Sequence, residues 1–210
     1  AATKVDTIIH TFLVMNSGVV SSRAMKEINV IGTMNLFAAA SAPGSTVERV
    51  VVKSSSLVYG AGPEDPAFFR EEMTRTRYPH TAVERSLLAV EDYVRDFAVD
   101  NPHVMVPLLP SSNVRAPAIR SPISQLLSRP VVPSIFGFDP RFQLIHEVDV
   151  VRSILFVLEN DLAGIYNVAG DGMLPWSEVA TICGKRTFPL TPIGTGLAAL
   201  PLRLAGYDIP

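Results

Sequence analysis

Val47-Glu48-Arg49-Val50-Val51-Val52 runs directly into Lys53-Ser54-Ser55-Ser56-Leu57-Val58-Tyr59-Gly60. A short valine-rich run reads as a buried strand, of the parallel kind that is covered on both faces. Three consecutive hydroxyls at its end do not suit a core. The carboxyl ends of parallel strands are, however, where open α/β sheets bind ligands. The stretch therefore predicts a parallel sheet with polar side chains gathered along one edge. A plainer reading of the serines stands beside it, in which they cap turns through local side chain-to-backbone bonds.

On the N-terminal side, Val5 to Ile9 reads as a second strand ending at His10. Between the two strands, residues 24–41 read as a helix, with Met25, Ile28, Gly32, Leu36 and Ala39 on one face. Pro43-Gly44 stops it. This strand–helix–strand unit is most simply a right-handed parallel crossover. On the C-terminal side, residues 60–80 form a polar loop. A helix over 82–99 follows, with Val83, Leu87, Val90, Val94 and Phe97 as its apolar stripe. Glu84, Arg85, Asp92, Arg95 and Asp96 fall on its wet side. Val104 to Leu109 is the third strand, and the alternation argues for an α/β fold.

The texture changes after Leu109, where prolines and breaks mark a surface-crossing segment up to Pro140. The helical pattern returns with Val151, Ile154, Leu155 and Leu158. A short strand, Ile165 to Val168, precedes the turn Ala169-Gly170-Asp171-Gly172. Pro175 suits the first turn of a helix through Cys183, and Gly184 suits its stop. The one plausible domain boundary lies near residue 115.

Composition narrows the function class. The 210 residues carry a net charge of −2, which gives no argument for nucleic acid or an acidic membrane surface. The four histidines show no metal spacing, so no metal is expected. Lone Cys183 excludes an internal disulfide and suits a reducing compartment, so a cytoplasmic location is expected. It reads as a buried helix-end residue. No secretory signal opens the chain and no apolar run reaches membrane length. Ile193 to Gly206 is apolar but interrupted by Pro201 and Arg203.

Several motifs then line up in order: Asp6-Thr7-Ile8-Ile9-His10 at a strand end, Asn29-Val30-Ile31-Gly32-Thr33 in the next helix, and Ser54-Ser55-Ser56-Leu57-Val58-Tyr59-Gly60. Asn113-Val114 with Pro117, Phe142-Gln143-Leu144-Ile145-His146-Glu147-Val148-Asp149, and Tyr166-Asn167-Val168-Ala169-Gly170 follow. In this order they resemble the extended short-chain dehydrogenase/reductases, the NAD-dependent epimerase/dehydratase family, whose members act mostly on nucleotide sugars. The resemblance implies a Rossmann-like doubly wound parallel sheet. Residues 1–114 would form a partial dinucleotide-binding domain, and residues 115–210 a substrate-side segment that returns elements to the core. By the same resemblance Ser55 holds the reacting sugar hydroxyl. Thr11, Phe12, Asn29 and Ser54 line NAD or NADP, while Asn113 and Arg141 meet the nucleotide sugar. Arg141 would grip a diphosphate. It lies one residue out of the usual register, and a surface ion-pair role is the alternative.

The chain departs from the family in three places. None of its thirteen glycines forms the G-x-x-G-x-x-G turn that lets a backbone approach a pyrophosphate, so the sheet is expected to be N-terminally incomplete. The family's proton relay, Tyr-x-x-x-Lys, needs its two side chains one helical turn apart on one face. Aligned on Glu91, its positions hold Val83 and Leu87, which cannot move a proton. Tyr78 and Tyr93 do not restore the motif, although Tyr78 could approach the cleft from its loop. In the substrate loop, Pro110 and Ala116 replace the usual arginine and glycine.

Three functions follow as expectations. The chain is an NAD(P)-linked sugar epimerase, dehydratase or reductase; or a non-catalytic relative that binds a dinucleotide, a nucleotide sugar or a partner; or part of an assembly that completes its open sheet edge. The resemblance also implies a homodimer.

Overall fold

A computed structural model describes residues 4–15, 20–60, 62, 64–66, 68–115 and 122–190. Its first strand, β1 (Thr7–His10), lies parallel to β2 (Arg49–Ser55), with His10 opposite Val52. Between them the chain follows one helical path in three pieces: α1 (Ser22–Lys26), a π turn (Glu27–Ile31) and α2 (Gly32–Ala40). The Ser21 hydroxyl caps α1 by accepting from the Ala24 amide.

The π turn overturns the expected buried face. Met25 is buried as predicted, but the next inward residues are Asn29, Val30, Thr33, Phe37 and Ala40. Ile28 and Ala39 face out. A π turn takes an extra residue to close, so every position after it rotates relative to simple 3.6-residue counting.

A single 3₁₀ turn (Ser56–Tyr59) leaves β2, and α3 (Ala82–Asp100) returns the chain. All five residues of its predicted stripe are buried. Glu84 does not take the wet side: it closes a capping box with Thr81 and pairs with Arg75, both side chains being almost fully buried. The third strand, β3 (Pro107–Ser111), is displaced toward the C-terminus from its expected span. Pro110 can only accept, and its carbonyl takes the Val168 amide.

Beyond β3 the chain builds a second lobe, beginning with β4 (Asn113–Arg115), α4 (Pro122–Leu127), β5 (Val131–Ile135), β6 (Arg141–Phe142) and β7 (Leu144–His146). Helix α5 (Glu147–Glu159) and β8 (Gly164–Ile165) return to the first sheet. Then β9 (Leu174–Pro175), α6 (Trp176–Ile182) and β10 (Arg186–Leu190) complete the lobe. Strands β4 and β7 pair in parallel, as do β5 and β10, while β6 and β9 are antiparallel. The lobe core is Leu127, Val132, Trp176, Val179 and Ala180. The Trp176 indole donates to the Pro133 carbonyl, tying α6 to β5. Gly170 is required where it stands, because a Cβ there would run into the Leu144 carbonyl. Two expectations fail in this half. Helix α5 buries Val150, Ile154 and Val157 while Val151 and Leu155 are exposed, and Cys183 is an exposed C-cap.

The main sheet is parallel, in the order β1-β2-β3-β8. Val50 and Val52 pack with α2 and α3 on one face, and Val51 packs with α5 on the other. Among the described residues β1 is paired on one side only, and Ile9 of β1, Phe12 just after it, and Ile28, Ile31 and Met34 of the helical path beside it are exposed apolar side chains. No described helix is long and apolar enough to cross a membrane.

Candidate functional site

Three neighbouring strands end at the same edge of the sheet, each with a hydroxyl or imidazole. His10 closes β1, Ser54 and Ser55 close β2, and Ser111 and Ser112 close β3. Ser55 and Ser111 are register partners. Alternation along β2 sends Ser54 to the α3 face with Val50 and Val52, and Ser55 to the opposite face with Val51 and Lys53.

Ser55 combines both readings of the serine run. Its Oγ caps the 3₁₀ turn by accepting from the Leu57 amide at 3.3 Å. A hydroxyl that accepts one bond keeps its own proton to donate. The turn is braced from outside: Arg75 donates to the Leu57 carbonyl at 3.3 Å while its other nitrogens reach the Arg77 carbonyl and Glu84. Gly60 then leaves the turn at φ +118°, a conformation that side-chain-bearing residues avoid.

Ser54 is buried and lies beside Glu91 of α3, near enough for its hydroxyl to favour the carboxylate. The two close no hydrogen bond of standard geometry, and Ser54 Oγ and Glu91 Oε1 both lack a partner. Burial raises the Glu91 pKa above the ordinary carboxylate value, against the pull of Ser54 and of Arg95, 3.3 Å from the other carboxyl oxygen. Tyr59 donates to Asn167 Oδ1 at 2.8 Å and stacks on Phe69. Burial, and then the Glu91 charge, raise its pKa, so it stays a phenol.

His10 is held in one tautomer. Thr33 Oγ1 spends its proton on the Asn29 carbonyl at 2.5 Å and therefore accepts from His10 Nε2, 2.9 Å away. The Nδ1 lone pair is left buried without a partner. Burial lowers the His10 pKa, which favours the neutral ring. Phe12 stacks against this ring at 4.5 Å and is itself half exposed. Thr11 is exposed beside it. Asn29 lies at the heart of the π turn, fully buried. It donates to the Val14 carbonyl and to Ser86 Oγ, and accepts from the Val14 amide. Its amide thus pins the loop after β1 to α3.

Val83 and Leu87 lie in the core with Met25, Val58 and Tyr59, and Leu87 is 0% exposed. Asn113 is exposed at the start of β4, with its amide N–H and side-chain nitrogen both directed at the Gln143 carbonyl. Arg141 is exposed on β6 and makes no ion pair among the described residues. The structure therefore brings Thr11, Phe12, Ser54, Ser55 and Asn113 to one edge, sets Asn29 behind that edge, and leaves Arg141 on the second lobe.

Sequence reasoning passed over Lys53, Glu91, His10 and Ser112 as site residues. The doublet Ser111-Ser112 repeats at the end of β3 the hydroxyl pattern that ends β2, and that repetition was the available signal. Lys53 is half-buried and, among the described residues, donates only to the Ser54 carbonyl, at 3.4 Å. Burial lowers its pKa, and no ion pair among the described residues offsets the effect.

Known proteins resemble this chain in sequence and fold. The family described as NAD dependent epimerase/dehydratase matches residues 1–169. The uncharacterized proteins Rv0501 of Mycobacterium tuberculosis and Mb0513 of Mycobacterium bovis are each 37% identical over 194 residues, covering 91% of this chain and 51% of their own. The chain thus spans about half the length of these relatives. RMD from Pseudomonas aeruginosa complexed with NADPH superposes with a TM-score of 0.73 at 20% identity, over 91% of this chain and 68% of that one. DesIV, the dTDP-glucose 4,6-dehydratase from Streptomyces venezuelae with NAD and TYD bound, gives 0.73 at 21% identity, over 98% and 69%. MoeE5 in complex with UDP-glucose and NAD gives 0.71 at 24%, over 90% and 67%. At these identities the solved structures establish the fold, and the family match, extending over most of the chain, carries the relationship: the chain belongs to the NAD dependent epimerase/dehydratase family.

Proposed function

We propose that this chain forms the nicotinamide-side wall and the substrate lobe of an NAD(P)-linked protein acting on a nucleotide sugar. The observation that carries the reading is the set of unpartnered buried atoms along one sheet edge: His10 Nδ1, Ser54 Oγ and Ser112 Oγ, on three adjacent strands. Buried polar atoms without partners are rare, and a row of them along a ligand-binding edge fits a bound polar group. Thr11 and Phe12 offer contact area to a nicotinamide beside that row, of which Ser54 is a member. Asn29 acts at one remove by fixing the loop that carries them. The bound dinucleotide would supply the hydride chemistry.

The protein's own part is orientation. Ser55 donates its free proton to the sugar oxygen, and the Arg75 clasp keeps the Ser55 turn in place. Asn113 and Arg141 face the nucleotide end from the second lobe. The chain contains no glycine-rich turn for the adenine side. A strand–turn–helix unit alongside the free edge of β1 would supply it and would cover Ile9. The family's nucleotide-sugar chemistry and a reducing, intracellular setting belong to the same proposal.

A second reading is favoured by one observation: Val83 and Leu87, which the resemblance sets at the proton-relay positions, are packed into the core. On that reading the cleft binds ligands without turnover. Turnover of a nucleotide-sugar panel with NAD or NADP separates the two. Activity that is lost in Ser55→Ala with binding retained supports catalysis. Undiminished turnover in that variant removes Ser55 from the reaction, and binding without turnover in the parent protein supports the second reading.

A further inference from the structure

Strand β2 carries a cation that the family's relay does not explain. Lys53 shares a face with Ser55, two residues on, so their Cα atoms are about 6.6 Å apart. Its Nζ has turned toward the carboxyl edge, because it donates to the Ser54 carbonyl at 3.4 Å. That is its one hydrogen bond among the described residues, and no carboxylate pairs with it there. An ammonium in this position is poorly solvated and uncompensated. Charged groups on the neighbouring elements are occupied elsewhere or turned away. His10 of β1 is bound to Thr33 on the opposite face. Strand β3 carries no titratable side chain. On α5, Asp149 pairs with Arg152, and neither Glu147 nor Glu159 reaches Lys53 as an ion pair.

We propose that Lys53 Nζ accepts the proton of the substrate hydroxyl held by Ser55, in place of the side chains missing at Val83 and Leu87. This rests on the catalytic form of the function proposed above. The step balances simply. The substrate O–H bond breaks and its proton forms an N–H bond with the amine lone pair. The oxygen electron pair becomes the second bond of a carbonyl as hydride leaves the carbinol carbon for the oxidised nicotinamide. In the reverse direction the ammonium returns the proton. Lysines activated in this way need a site that disfavours their charged form, and burial does so here. The side chain sits on the same wall as the hydroxyl that orients the substrate, and as a general base it must come within hydrogen-bond reach of the substrate proton there.

Two measurements on the full-length protein test this. The first is competitive acetylation across pH, read residue by residue by mass spectrometry, without any cofactor. Lys53 is expected to become reactive at lower pH than the other lysines, and reactivity in step with them overturns the proposal. The second compares Lys53→Met and Lys53→Arg with the parent, using NAD and UDP-glucose as probes. Both variants are expected to bind both ligands, to lose about 100-fold or more in kcat, and to lose the rise of the oxidation rate with pH. Recovery in Lys53→Arg means that the residue holds an anion rather than a proton, and overturns the proposal. Unchanged kcat in Lys53→Met defeats the inference alone. Ligand binding without turnover in the parent defeats the catalytic reading and the inference with it.

Discussion

Replacing Asn29 by alanine tests how this cleft is held open. The side chain makes three hydrogen bonds: to the Val14 carbonyl at 3.0 Å, to Ser86 Oγ at 3.1 Å, and from the Val14 amide at 2.8 Å. Ser86 keeps a partner in the variant, since its hydroxyl also donates to the Val83 carbonyl. Among the described residues the Val14 amide and carbonyl do not. Stranding two backbone groups at roughly 1–1.5 kcal/mol each, with a small cavity added, costs about 2–4 kcal/mol. For a chain of this size that lowers Tm by about 5–12 °C. The assay is urea or thermal unfolding, run beside a dinucleotide titration. Asn29→Asp should be worse near neutral pH, because it buries a carboxylate against an acceptor. Its folded pKa would be raised, so its stability should recover as pH falls and the acid regains a proton to donate. A variant within about 0.5 kcal/mol of the parent refutes the brace. Intact stability with lost dinucleotide affinity would instead make Asn29 a direct cofactor contact.

Four further outcomes follow from buried charges and the apolar stripe of α3. Arg75→Met should cost about 3–5 kcal/mol, because it leaves Glu84 buried without its cation, whereas Arg75→Met combined with Glu84→Leu should cost less in urea unfolding. Burial works against the Glu84 carboxylate, but the Thr81 and His80 amides and the Arg75 guanidinium together hold its pKa below the usual value. Its contribution is therefore present above the unfolded pKa and lost as pH falls through the folded one, so a Glu84→Gln variant should show a flatter acid limb. Glu91 has the opposite sign: burial raises its pKa, so the parent loses stability as pH rises through the folded value, and Glu91→Gln should gain relative stability at neutral pH in the same assay. Leu87→Lys tests the buried stripe of α3. It places an ammonium in a fully buried apolar cluster and should cost about 3–5 kcal/mol, and a well-folded, stable variant would contradict the packing described here.

The sheet was legible because Val50, Val51 and Val52 are buried on both faces, which an unbroken apolar run states directly. Helix α3 was legible because it is straight, so Val83, Leu87, Val90, Val94 and Phe97 keep the ordinary period. The helix before β2 was misread from Ile28 onward, since no periodicity count contains the extra residue of a π turn. Helix α5 is apolar on two sides, so its periodicity does not say which side faces the sheet: Val150, Ile154 and Val157 do, while Val151 and Leu155 face out. Glu84 and Cys183 show the limit of residue-type rules. One carboxylate is buried because an arginine nine residues earlier, in the loop before α3, comes back to meet it, and one cysteine is exposed because its helix ends at the surface. In the site, the serines announced themselves by position. Lys53 and Glu91 did not, because what distinguishes them is burial without a full set of partners, a property of the folded state.

The central claim is that the edge formed by His10, Thr11, Phe12, Ser54 and Ser112 receives a dinucleotide. The most direct measurement is a fluorescence titration of the full-length protein with NADH and with NADPH, repeated with Phe12→Asp. Saturable binding of at least one, weakened in the variant while its unfolding curve is unchanged, is the result the account predicts. No saturable binding of either by the folded parent protein would contradict it.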